Sequence, residues 1–427
     1  MAKRRITLAS QTLVPGLQHV CTLKESAASC TRCNACAQSC PVYLQYRQES
    51  FSPRGRMQLM RLISEGKLTT AGSDKLLADI ANSCMLCARC TNACAGKIPV
   101  AHHMLALRKA LGIKPLPAQL YFLLYLRGAA PKLFDFFVRG GLFLYRTKLP
   151  WLLRPLLPDW LKHAQTILPR GTGSLRRLFA KKQMDVTPNK PKALYFPSLY
   201  AQYIDPQAGL AAYQAFTAKK PTVLFRLPSG LFEHLYGSRT RTLQQAKKVL
   251  QTWEQYSGKY PLPFITDSIE LYGFFKNYPL LFATVPGWQQ RAEKFAAHVQ
   301  FVAEAPFPIK KKNAPGRAAL DSSSVLYPAG PVAERARKLL LTTSGKNLVE
   351  CEYSRFPLPA ASMGFTRGSN AGGWVLTNTQ DLARQQIDIV YCLSAWAALE
   401  LNAVLRRRKS KTQARFVVYI RTDYERT

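Results

Sequence analysis

The chain has 427 residues, an apolar share of 47% and a formal net charge of +36 at pH 7. That length supports two or three domains with cores of their own, and no run of about 18 uncharged apolar residues occurs, so a membrane-spanning helix is not expected. The charge far exceeds what solubility requires and favours an anionic partner: nucleic acid, acidic lipid headgroups or an acidic protein.

The start, Met1 to Ser10, is basic but has neither a sustained apolar core nor a small-residue cleavage site, which argues against a secretory signal. Residues 1–29 read as a leader with little pattern, and Cys21 within it as a bystander thiol. Two cysteine runs follow: Cys30, Cys33, Cys36 and Cys40, then Cys84, Cys87, Cys90 and Cys94, each spaced C-x2-C-x2-C-x3-C. This is the bacterial ferredoxin spacing for a [4Fe–4S] cluster. A cubane needs four thiolates at the corners of a compact tetrahedron, and two-residue gaps let one tight turn present three of them. The fourth cysteine of such a run ligates the other cluster. Cys30, Cys33, Cys36 and Cys94 are therefore assigned to one cluster, and Cys84, Cys87, Cys90 and Cys40 to the other. A single C-x2-C suits zinc or a redox dithiol, and a disulfide framework suits a short secreted chain; neither explains two copies matching at every position. Eight thiolates held for iron also point to a reducing, cytoplasmic setting. The one local departure is Ala95, where the first run has Pro41.

Between the runs, Ser52-Pro-Arg-Gly-Arg56 precedes Met57, Met60, Leu62 and Ile63 at near-helical spacing, with Pro53 suited to a first helical turn. A second helix is expected over 75–81 and a third over 100–111. His102 and His103 on the third read as ordinary solvent or core histidines. Arg89 and the backbone amides of the runs are candidates to raise a cluster potential.

From 116 to 182 bulky apolar residues alternate with twelve Lys and Arg, against only Asp135 and Asp159. Prolines at 117, 131, 150, 155, 158 and 169 are expected to cut this stretch into short helices. Basic amphipathic helices with Trp, Tyr and Phe suit a membrane interface, or equally a face buried on neighbouring domains with the basic ends snorkelling outward. Beyond 186 the pattern becomes α/β. Strands are expected at 193–196, 221–225 and 264–267, each followed by a helix (207–216, 241–256 and 268–277). A linker at 309–316 precedes a second round: strands at 325–327, 348–351, 387–391 and 416–420, with helices over 332–341 and 394–406. Alternating strands and helices suggest parallel sheets, and two rounds suggest an internal duplication.

With these features in place, the chain resembles the iron–sulfur subunit of glycolate oxidase, a group that includes the lactate-utilisation and anaerobic glycerol-3-phosphate dehydrogenase iron–sulfur subunits. The resemblance implies two C-terminal domains of the Cys-Cys-Gly type. Here those signatures are absent: Leu227 to Gly237, Thr266 to Glu270 and Val325 to Pro331 carry no cysteine, leaving Cys351 and Cys392 alone. These are too few for a cubane or an all-cysteine zinc site. The expected architecture is α+β and multidomain: a helical ferredoxin domain over 1–115, a basic helical linker over 116–185, and degenerate α/β domains over 186–310 and 318–427.

The resemblance further implies a non-catalytic electron-transfer subunit in a hetero-oligomer. Its two [4Fe–4S] clusters take electrons from an FAD flavoprotein that oxidises a 2-hydroxy acid, and deliver them to a quinone or another carrier. The basic segment, independently, suggests docking at the inner face of the cell membrane, on an anionic membrane surface or on a membrane-anchored acceptor. No Gly-x-Gly-x-x-Gly after a strand and no Walker A motif supplies a nucleotide site on this chain. The alternative is an iron–sulfur nucleic-acid-binding protein: its charge and abundant Tyr and Phe fit, but no nucleic-acid-binding motif accompanies them.

Overall fold

The computed structural model describes residues 23–67, 74–113, 118–147, 174–182, 190–217, 221–304 (except 226 and 237), 316–322, 330–344 and 382–417, with single positions between them. Cys21, Cys351, the expected strand at 325–327 and the linker residues 309–315 lie outside the described residues.

The N-terminal part is helical: α1 (Leu23–Ala28), α2 (Pro41–Tyr46), α3 (Pro53–Ser64), α4 (Asp74–Ser83), α5 (Arg89–Ala93) and α6 (Val100–Ala110). Helix α1 falls in the stretch expected to be patternless. Helix α3 shows why Ser52 to Arg56 reads as it does. The Ser52 hydroxyl accepts the Gly55 N–H at 2.8 Å, and Pro53 takes the first turn, where a missing N–H costs nothing. Arg54 pairs with Glu49 at 2.8 Å. A Cβ on Gly55 would lie 2.0 Å from the Glu49 carbonyl oxygen, so only glycine lets the helix start this close to the preceding turn. Arg56 then points inward, 2% exposed. Met57, Met60 and Ile63 bury the same helix against the domain core.

Among the described residues the basic linker forms α7 (Ala118–Ala129) and α8 (Pro131–Arg146), divided at Pro131, which opens α8, and a shorter helix at Leu175–Lys181. One side packs inward: Leu126 and Phe134 are buried, Tyr203 meets the Phe134 ring edge-on, and the Tyr203 hydroxyl donates to Asp135 at 2.8 Å. The other side leaves Phe136 and Phe143 68% and 67% exposed, beside Leu133 and Leu144. Burial and exposure thus divide one amphipathic pair between them.

The C-terminal half holds two parallel sheets. The first has the order β2–β1–β3–β4, from β1 (Ala193–Phe196), β2 (Thr222–Leu224), β3 (Phe264–Thr266) and β4 (Val299–Phe301). The second has the order β5–β6–β7, from β5 (Ala318–Asp321), β6 (Ile389–Cys392) and β7 (Gln413–Phe416). Leu348 bridges Ala318 in parallel, on the outer side of β5. Leu348 therefore takes the place of β2, and β5, β6 and β7 repeat β1, β3 and β4: the duplication is one of topology. Two placements differ from expectation. The second round has a strand at β5, which its short length and terminal Asp321 conceal as a strand signal, and β7 begins at Gln413, ahead of the expected 416–420, of which 418–420 lie outside the described residues. Expected helices recur at Pro206–Thr217, Arg239–Ser257, Ile269–Lys276, Gly330–Ser344 and Ala395–Arg407. Helix Gln289–His298 and strand β4 were not expected. Aromatic rings fill the first core: Phe264 meets Phe225, Phe275 and Phe295 edge-on, and Trp253 crosses Phe295.

The carboxyl ends of these strands carry a buried polar network. Asp267 accepts the Ser198 N–H at 2.7 Å and its hydroxyl at 2.9 Å. Glu270 accepts from Ser268 Oγ at 2.6 Å and from Ser394 Oγ, which ties the two α/β units together. Burial outweighs the Ser198 bonds and pushes the Asp267 carboxyl from 3.8 up to about 6. Between those values the folded chain holds a proton that the unfolded chain has lost, so this group's stabilisation falls as pH rises. Urea unfolding of wild type and Asp267→Asn should therefore show a stability difference that shifts against wild type by about 1.4 kcal/mol per unit from pH 4 to 6. A difference that stays level across this range would contradict the assignment.

Candidate iron–sulfur site

The helical part encloses two neighbouring cavities. Cys30, Cys33, Cys36 and Cys94 line one of about 160 Å³, closed on one side by Met57 and Ile98. Cys40, Cys84, Cys87 and Cys90 line a tighter one of about 20 Å³, closed by Arg56 and Met85. The fourth cysteine of each run crosses to the other cavity. Cys90 also borders the first, and Arg56 and Met57, consecutive on α3, face one cavity each.

Local backbone produces this grouping. Arg32 and Leu86 occupy the same position of the two runs, as do Asn34 and Ala88, and all four have φ between 53° and 67°. A left-handed residue is costly for a side chain such as Leu86, and it recurs because the turn must aim three thiols at one centre. Alternating hand is also how a backbone turns successive N–H groups toward one anion. The Ala35 N–H and the Thr31 hydroxyl hold the exposed Cys33 thiol below its usual range.

The donor set fits a polycationic cluster. All eight cysteines are free of disulfides. Burial, then the neighbouring Cys94, Cys30 and Cys33, pushes Cys36 up to about 11. Burial does the same to Cys87, to about 11, although the Arg89 guanidinium pulls it down, and drives Cys90 well above the ordinary value. Four thiolates in so dry a space repel one another, and only strong positive charge at their centre makes the arrangement favourable. Among the described residues, no three His, Cys, Asp or Glu side chains converge on a point suited to a single metal ion. The thiols ring a space; they do not meet.

Three buried guanidiniums surround the second set. Arg56 Nη1 lies 3.8 Å from Cys40 Sγ and Nη2 donates to Ser83 Oγ at 2.8 Å. Arg108, 4% exposed on α6, donates from Nε to the Ala81 carbonyl at 2.8 Å and from Nη2 to the carbonyls of Asn82 and Cys84. Arg89, 9% exposed at the start of α5, lies within electrostatic reach of Cys87, Cys40 and Asp321, and so links the second set to the end of β5. Sequence reading anticipated Arg89 but missed Arg56 and Arg108. A signal existed for Arg108: it stands four residues after Met104, in the apolar stripe of α6. A charge on a buried face is either an error of pattern or a group with a buried partner.

His102 and His103 line neither cavity. His103 is fully buried, both ring nitrogens lack a hydrogen-bond partner, and burial lowers it to about 3. In the C-terminal half, Cys392 is buried and its thiol pushed up by burial and by Asp321. At one of the places where the resemblance implies cysteines, just after β3, the chain has Asp267, Ser268 and Glu270, which take part in the buried hydrogen-bond network.

Residues 26–98 match the family model described as a 4Fe-4S dicluster domain. No curated protein and no solved structure matches the chain. The helical part is thus a ferredoxin-type iron–sulfur domain, binding [4Fe–4S] through cysteines between residues 30 and 94. No helix among the described residues is long and apolar enough to cross a membrane.

His103 provides a test of what is structural here. Its folded value lies below the unfolded 6.5, so the stability it contributes as a neutral ring is lost as pH falls through that window, by about 1.4 kcal/mol per unit. His103→Leu should leave iron content unchanged and make unfolding less acid-sensitive between pH 6.5 and 4.5; loss of iron would instead mark His103 as part of the site.

Proposed function

We propose that this chain is an electron-transfer subunit with two [4Fe–4S] clusters, one on Cys30, Cys33, Cys36 and Cys94 and one on Cys84, Cys87, Cys90 and Cys40. The observation that carries this reading is the pair of adjacent cavities, each lined by its four thiols drawn from both runs, with Cys90 shared at their border. Bound clusters supply one-electron storage. The chain's own residues do the rest: left-handed turns aim the thiols, Met57, Ile98 and Met85 exclude water, and buried arginines compensate charge. The exposed Cys33 makes the first set the entry facing a redox partner. In this reading the donor is an FAD flavoprotein that oxidises a 2-hydroxy acid such as glycolate or lactate, and the acceptor a quinone or another carrier; the support is the resemblance of the whole layout. The α/β half serves as a scaffold whose former ligand positions are now a hydrogen-bonded network.

Anaerobically purified protein should contain about eight irons per chain and give the spin-coupled EPR spectrum of two reduced cubanes. Cys36→Ser and Cys90→Ser should each lower the iron count and abolish the coupling, leaving a single-cubane signal. About four irons in wild type would remove the two-cluster reading.

The chain also docks on an anionic membrane through α7 and α8. Exposed Phe136 and Phe143 beside Lys132 on a molecule of charge +36 form an apolar and cationic face of the interfacial kind. Arg139 contributes less, being paired with Asp135 at 2.6 Å. Sedimentation with vesicles containing phosphatidylserine should exceed that with phosphatidylcholine alone, weaken with salt, and drop several-fold in Phe136→Ser/Phe143→Ser. Equal sedimentation with both lipids, or none, would assign this face to a protein partner.

A further inference from the structure

The two thiol sets differ in one respect that their spacing hides: among the described residues, the buried positive charge lies at one of them and not the other. Around the second set, Arg56, Arg89 and Arg108 are 2%, 9% and 4% exposed. Around the first, Arg32 is exposed, and Arg54 is about one-third exposed and committed to Glu49 at 2.8 Å. Guanidinium stays protonated in proteins, so these are fixed charges. Their effect depends on the medium. Water screens Arg32 and Arg54, while a charge sealed beside the second cavity acts through a low dielectric.

The partners of the buried arginines decide how much of that charge is left over. Arg89 shares its field with the carboxylate of Asp321. Arg56 bonds to a thiol and a hydroxyl, and Arg108 to carbonyls; no hydrogen bond or ion pair joins either to a carboxylate among the described residues. At least two positive charges therefore remain for the thiolates and whatever they hold. Arg56 adds a direct N–H···S contact, the kind of hydrogen bond to a ligand sulfur that raises reduction potentials. An opposing effect exists: the open first cavity lets water stabilise added negative charge, which raises its potential too. Water offers induced polarisation, whereas the second cavity offers whole charges at contact distance in a dry space. The fixed charges win.

We propose that the set Cys40, Cys84, Cys87 and Cys90 is the high-potential site of the pair, held there by Arg56 and Arg108 with help from Arg89, so that a single electron entering the protein comes to rest on it. This rests on the two-cluster reading above. The polarity runs from the exposed first set, where a partner can reach, to the enclosed second set beside the α/β half. Arg56 and Arg108 are tuning residues, separate from the ligands themselves.

An EPR-monitored redox titration of the full-length holoprotein, with iron counted in every sample, tests this. Wild type should show two separated midpoints, and one equivalent of dithionite-derived electrons should produce a single uncoupled cubane signal. Cys36→Ser, which disables the first set, should retain the higher midpoint, and Cys90→Ser the lower. Arg56→Gln should lower the higher midpoint, shifting the partition of the first electron at least about tenfold, or about 59 mV for a one-electron couple, while Arg56→Lys keeps most of the separation and Arg54→Gln changes neither midpoint. Arg108→Gln, which leaves the thiol contact intact, should shift the same midpoint in the same direction and serves where Arg56→Gln loses iron. If Cys36→Ser retains the lower midpoint, or if both glutamine variants titrate like wild type at full iron content, the inference is overturned. A wild type with about four irons would sink the two-cluster reading instead, a result distinct from either of these.

Discussion

Cysteine thiols are gathered into a largely buried space, and much of the helical domain answers to that constraint. Deprotonated sulfur is costly to bury and costlier in groups of four. The upward push on Cys36, Cys87 and Cys90 reflects that cost. In the proposed reading iron meets it from the centre of each set, and guanidinium from outside the second. Helix α3 is the element that reconciles the two cavities, with Met57 as apolar wall for one and Arg56 as counter-charge for the other. Its start is correspondingly over-determined: a buried serine cap, a proline in the first turn, an ion pair, and a glycine pressed against the Glu49 carbonyl.

The α/β half solves a different problem. Parallel sheets bring their carboxyl ends together, where ligands commonly sit. Here Ser198, Asp267, Ser268, Glu270 and Ser394 occupy that place with mutually satisfied hydrogen bonds, one of which joins the two units across 124 residues of sequence. The place is a joint between the units. Asp321, at the end of β5, couples this joint electrostatically to Arg89 and so to the second thiol set.

Between these parts, α7 and α8 are amphipathic in the literal sense that each side has a different use. Phe134 and Leu126 close onto the first α/β unit, with Asp135 held by Tyr203. Phe136 and Phe143 remain outside, on a molecule whose positive charge already biases it toward anionic surfaces.

By itself, the sequence determined the chemistry and the class. Cysteine spacing is a local property: a cubane accepts few turn geometries, so two copies of one pattern announce it. Parallel α/β architecture was legible for a similar reason, since strand–helix alternation is written in short apolar runs such as Ala193 to Phe196. Tertiary structure decided what spacing cannot express. That Arg56 and Arg108 turn inward depends on how α3, α4 and α6 pack. A one-dimensional pattern shows a charged residue but not the buried partner that permits it. Strand β5 escaped notice because four buried residues ending in Asp321 resemble a loop until Ile389 to Cys392 and Leu348 pair with them on either side. The difference in buried positive charge around two near-identical cysteine runs belongs wholly to this second level, because burial is a property of three dimensions.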